Sequence, residues 1–158
     1  MNKNEKTGIT LVVLVITIIV LAILLATVIV PSSNLIDTSS IAAFNKTIIN
    51  IHDLSITYNV TTGKWPVKSG SALTYSDLYN LVLDKSGAQA AQKFEVQIAS
   101  NGDQNSNFYY IDFAKINVTQ GGLDLDGNIV INGDGTHVYY VPGMFISENW
   151  YFTNYTSN

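Results

Sequence analysis

The chain has 158 residues, 47% hydrophobic and 13% charged, with no cysteine and a net charge of −4. This fits one modest domain and excludes a disulfide scaffold, a collagen-like fibre and a disordered chain. All eight basic residues are lysines scattered through an acidic chain, which leaves no electrostatic footprint for a phosphate backbone, so no nucleic-acid partner is implied.

Mean hydropathy is positive, +0.20, and the excess lies at the N-terminus. Ile9 to Val30 form an uncharged run of twenty-two residues, interrupted only by Thr10, Thr17 and Thr27. As a helix it would measure about 33 Å, enough for roughly 30 Å of hydrocarbon, so a transmembrane helix over 9–30 is expected. A buried core helix would have to be covered on every face, and the later chain supplies too few partners. A secretory signal would have a shorter apolar region ending at a small-x-small site, and Thr27-Val28-Ile29-Val30-Pro31 offers none. Lys3 and Lys6 precede the run, which places residues 1–8 in the cytoplasm and 31–158 outside, as a single-pass protein of the cell membrane.

The junction is more specific than the hydropathy. Lys6-Thr7-Gly8-Ile9-Thr10-Leu11, running into Val12-Val13-Leu14-Val15-Ile16-Thr17-Ile18-Ile19-Val20, resembles the prepilin leader and first helix of type IV pilins and pseudopilins. The resemblance implies a cytoplasmic leader of residues 1–8, cleavage after Gly8 by a prepilin peptidase, and N-methylation of the new terminus Ile9. A glycine without a side chain lets the backbone approach a protease site closely. Val13 departs from the family, which usually has glutamate at the fifth residue of the mature chain to pair with a neighbouring subunit's N-terminal ammonium. An unpaired amine in an apolar bundle costs several kcal/mol unless it relaxes or finds another partner. Either this subunit sits at a filament end, or its terminus is stabilised otherwise, or the chain is of a branch without the pair.

Beyond the apolar run, Pro31-Ser32-Ser33-Asn34 predicts a kink or hinge. Ile41, Phe44, Ile48, Ile51 and Tyr58 recur at helical spacing, widened by Ile49, Leu54 and Ile56, and predict an amphipathic helix over about 38–60. Thr61-Thr62-Gly63 and Trp65-Pro66 stop it. Tyr58, Gly63, Trp65 and Pro66 together resemble the turn that follows the long helix of pseudopilins. A short helix is expected over about 75–85, capped by Thr74, with Asp77 in its first turn and Leu78, Leu81 and Val82 on one face. From Phe94 the period changes to two, and Glu95 to Ile98, Phe108 to Phe113, Ile129 to Ile131, His137 to Val141 and Trp150 to Phe152 read as strands of an antiparallel sheet over about 94–152. A three-residue loop Asp126-Gly127-Asn128 would set Leu125 opposite Ile129 and Leu123 opposite Ile131. The expected fold class is α+β, with a long N-terminal helix, membrane-spanning in its first half and amphipathic in its second, packed on one apolar face of a C-terminal antiparallel sheet, as in pilins.

Chemical sites are sparse. Asp124, Asp126 and Asn128 have the one-three-five spacing of a calcium loop, but Ile129 and Gly135 stand where its glycine and glutamate belong. Asp134 would reach the same cluster across the turn, although aspartates beside glycines are more often turn formers. His52 and His137 lack metal-ligand neighbours, and His137 beside Asp134 and Thr136 is accompanied by no hydrolase motif. No catalytic residue, metal or cofactor is implied. Strand tyrosines in Phe108-Tyr109-Tyr110, Val138-Tyr139-Tyr140 and Trp150-Tyr151-Phe152 would line a sugar-binding surface or divide between core and rim. Asn45, Asn59, Asn117 and Asn154 begin N-x-Thr sequons.

The resemblance implies a structural subunit of a type IV pilus-like surface filament. Its partners would be other pilin subunits, the prepilin peptidase, an assembly platform with its ATPase, and the membrane. The alternative is a single-pass surface protein whose ligand-binding head does not polymerise.

Overall fold

The computed structural model describes residues 3–118 and 123–154, and within the first helix it describes the side chains of residues 13–19 and from 38 onward. The chain divides into two compact units, Met1–Ser39 and Ser40–Asn158. Helix α1, Lys3–Thr62, runs through both, and its helical assignment continues through Pro31, where the sequence predicts a kink or hinge. It ends where Gly63, at φ +70°, takes a left-handed conformation and donates its amide to the Asn59 carbonyl.

The expected membrane-spanning first half is overturned: among the described residues no helix is long and apolar enough to cross a membrane. Of the stretch 9–30, the described side chains are those of Val13 to Ile19. Seven residues of helix measure about 10 Å, a third of a hydrocarbon core. The second half, in the unit Ser40–Asn158, buries Phe44, Ile48 and Ile51, whereas Ile49 and Ile56, expected to widen the stripe, are exposed.

The single C-terminal sheet is also replaced. Strands β1 (Phe108–Tyr110), β2 (Ile129–Asn132) and β3 (Val138–Tyr140) form one antiparallel sheet in the order β1-β2-β3, and β4 (Met144–Ile146) and β5 (Asn149–Tyr151) form a separate hairpin. Strand β2 pairs Ile131 with Tyr109 and Val138, and Val130 with Tyr110 and Tyr139. Residues 123–125 are therefore not its partner strand, contrary to the expected register. Leu123 and Leu125 still join Ile129 and Ile131 in one core, with Asn128 turning back to the Leu125 carbonyl.

The sheet has two buried faces rather than one. Ile129, Ile131, Val138 and Tyr140 pack with Phe44, Ile48 and Ile51 of α1. Phe108, Val130, Tyr139 and Val141 pack with two further helices, α2 (Tyr75–Ser86) and α3 (Ala88–Ser100). The run Ile129-Val130-Ile131 has no polar alternation, which is the pattern of a strand covered on both sides. Thr74 caps α2 in a reciprocal capping box with Asp77, as the sequence signature anticipates. Helix α3 stands where Glu95 to Ile98 read as a strand. Ala91, Phe94 and Ile98 share its buried face, Val96 is exposed, and the surrounding Ala, Gln and Lys residues favour helix.

Candidate functional site

On α1, the described residues Val13, Leu14, Val15, Ile16, Ile18 and Ile19 are 46–59% exposed. Successive helical residues are about 100° apart, so this run is apolar around the whole circumference. A stretch of that kind needs cover on every side. Thr17 returns its hydroxyl to the Leu14 carbonyl at 2.8 Å, which removes the one polar group from competition. The expected processing residues Gly8 and Ile9 lie outside the residues whose side chains are described.

In the unit Ser40–Asn158 a dense polar site surrounds Asp103, a residue that no sequence motif marks. Its buried carboxylate accepts hydrogen bonds from Asn132 Nδ2 at 2.8 Å, Ser106 Oγ at 3.0 Å and Tyr139 Oη at 2.7 Å. His137 Nδ1 lies 2.9 Å from the same carboxylate. Asn101 Nδ2 donates to Tyr139 Oη at 2.8 Å. Burial, then the bond to Asp103, pushes the Tyr139 phenol far above its ordinary range, so it stays a neutral donor.

The neighbourhood of His137 with Asp134 and Thr136, legible in sequence, is reproduced with different roles. Thr136 Oγ1 donates to Asp134 Oδ1 at 2.7 Å and lies 3.2 Å from His137 Nδ1, on the ring nitrogen that already faces Asp103. Bonds from the Thr136 hydroxyl and amide hold the Asp134 carboxyl below the usual range. A nucleophile paired with a base needs a hydroxyl or thiol on the other ring nitrogen. Among the described residues none bonds His137 Nε2. The arrangement is a closed net that ties the β2–β3 turn to the segment after α3. His52 Nε2 donates to the Gly135 carbonyl at 2.8 Å and fastens the same turn to α1.

The candidate cation cluster is dispersed. Asp126 pairs with Lys68 at 2.6 Å, Asn128 Oδ1 takes a bond from Lys85 at 3.0 Å, and Asp134 is engaged with Thr136. Asp124 serves through its backbone carbonyl, which accepts from Asn128 Nδ2. Among the described residues no group of three or more His, Cys, Asp or Glu side chains is placed to hold a metal ion.

No protein-family model matches the chain, and comparison with curated proteins and with solved structures likewise gives no match.

Proposed function

We propose that this chain is a structural subunit of a type IV pilin-like surface filament, held to its neighbours by the N-terminal helix. The observation that carries the reading is the all-round apolar run Val13–Ile19, whose large side chains are about half exposed. Covering the remaining surface of those six side chains contributes roughly 5 to 9 kcal/mol per subunit, at 1.5 to 3 for each complete burial. A bundle of like helices covers every face at once, which pairing through one stripe does not. The sequence supports the same reading, since the apolar character extends from Ile9 to Val30 behind a short lysine-bearing leader ending in Gly8.

In this account a prepilin-type peptidase cuts after Gly8, the new terminus at Ile9 is methylated, and an assembly platform with its ATPase delivers the subunit to the growing filament. Mass spectrometry of the mature protein is the test. The expected result is a chain beginning at methylated Ile9, and a Gly8→Leu variant that retains its leader and is absent from filaments. An intact Met1 or Asn2 terminus on filament-borne protein, or normal filaments from Gly8→Leu, would overturn the proposal.

A further inference from the structure

A cleft of about 570 Å³ opens between α3 and the β4–β5 hairpin, lined by Lys93, Val96, Asn101, Asn149, Trp150 and Tyr151 among others. Its volume falls within the range of small-ligand sites, about 300 to 1,000 Å³. Of its lining Val96 is 65% exposed, and Phe145, outside the lining but with its ring centre 5.1 Å from that of Trp150, is 57% exposed. The hairpin that carries Trp150 is built on Ser147 and Glu148, both at positive φ, a conformation that non-glycine residues adopt at a cost.

We propose that this cleft binds an uncharged oligosaccharide. Val96, and Trp150 half-buried with its ring beside those of Phe145 and Phe152, offer apolar surface for the C–H groups of sugar rings, and the amides offer the donors and acceptors that ring hydroxyls need. Asn101 spends its Nδ2 on Tyr139 Oη and Asn149 its Nδ2 on the Ser147 carbonyl. Neither amide oxygen accepts a bond from the described residues, so each remains an acceptor for a hydroxyl. Among the described residues Lys93 is the one charged side chain in the lining, which is too little to recognise a phosphate-bearing ligand.

An extended peptide added to the hairpin edge is disfavoured by Gln97. Its Nε2 donates to the Trp150 carbonyl at 2.7 Å and its Oε1 accepts from the Phe152 amide at 3.1 Å, so the acceptor and donor that strand addition would use are already engaged. The same two bonds fix the hairpin to α3 and set the walls of the cleft. This site stands apart from the filament reading and would serve equally a subunit that does not polymerise.

The test is binding of the fluorescently labelled full-length chain, in a detergent without a sugar headgroup, to an array of neutral oligosaccharides, followed by titration of the best binder. Trp65 and Trp150 are the two tryptophans of the chain, so a Trp65→Phe background makes Trp150 the reporter. The expected result is a saturable change in Trp150 emission, weakened about tenfold or more by Val96→Asp and by Asn149→Ala. Both positions are exposed, so the variants are expected to keep the wild-type circular dichroism spectrum. An array without binding, binding unchanged in both variants, or preference for an extended peptide over every oligosaccharide would overturn the proposal.

Discussion

Asp103 is 4% exposed, and a carboxylate that enclosed is tolerated because four donors converge on it. Tyr139→Phe removes one of them and leaves Asn101 Nδ2 without its acceptor, so it should cost about 1 to 3 kcal/mol in urea unfolding. The same tyrosine sets an alkaline limb. Because its pKa is raised on folding, its contribution is full below about pH 10 and is lost as pH rises beyond, and the phenylalanine variant should lose that part of the pH profile. Asp134 has the opposite sign: bonds from Thr136 depress its pKa, so its contribution is present above about pH 3.9 and declines as pH falls below. Asp134→Asn should flatten the acid limb of the unfolding midpoint against pH. Gly135 lies at φ +77°, and a Cβ there would collide with the Trp65 ring, so Gly135→Ala should be among the most damaging single-methyl changes, at about 2 to 4 kcal/mol.

At the scale of elements, the β4–β5 turn holds the non-glycine residues at positive φ among the described residues. Ser147 at φ 49° and Glu148 at φ 64° occupy the two central positions, where asparagine and glycine are favoured. The double change Ser147→Asn with Glu148→Gly should raise stability by about 1 kcal/mol, read as a higher thermal midpoint with an unchanged spectrum. Elements with local signals were legible in sequence: Thr74 and Asp77 announce the start of α2, and Gly63 announces the end of α1. Helix α3 was obscured because Phe94, Val96 and Ile98 also fit a period of two, and only tertiary burial of Ala91, Phe94 and Ile98 with Val96 outside decides between the two periods. The partners of β2 were illegible for a related reason. Its neighbours β1 and β3 flank it in chain order, but Leu123 and Leu125 carry the same apolar pattern and compete for the pairing until their turn geometry is known. The Asp103 net had no motif to announce it, since its members are spread from Asn101 to Tyr139 and meet only through the sheet.

At the scale of the molecule, two different problems of apolar surface have two different solutions. In the unit Ser40–Asn158 the three-stranded sheet is closed on one face by α1 and on the other by α2 and α3, so its core is complete within one chain. Among the described residues the run Val13–Ile19 has no such cover, its large side chains being about half exposed. In the proposed filament other copies would supply it, and Val13 would then be informative, since glutamate is usual at the corresponding position of the proposed class. If Val13 marks a subunit of the filament end, tagged protein should label tips as a minor component, and labelling along the shaft would remove that assignment. The central claim is that Val13–Ile19 lies between like helices. It is tested most directly by cross-linking, because the chain has no cysteine and Ile16→Cys provides a single thiol. Oxidation of surface-sheared Ile16→Cys protein should join copies through that residue within filaments visible by electron microscopy. Dispersed monomers that resist cross-linking would contradict it.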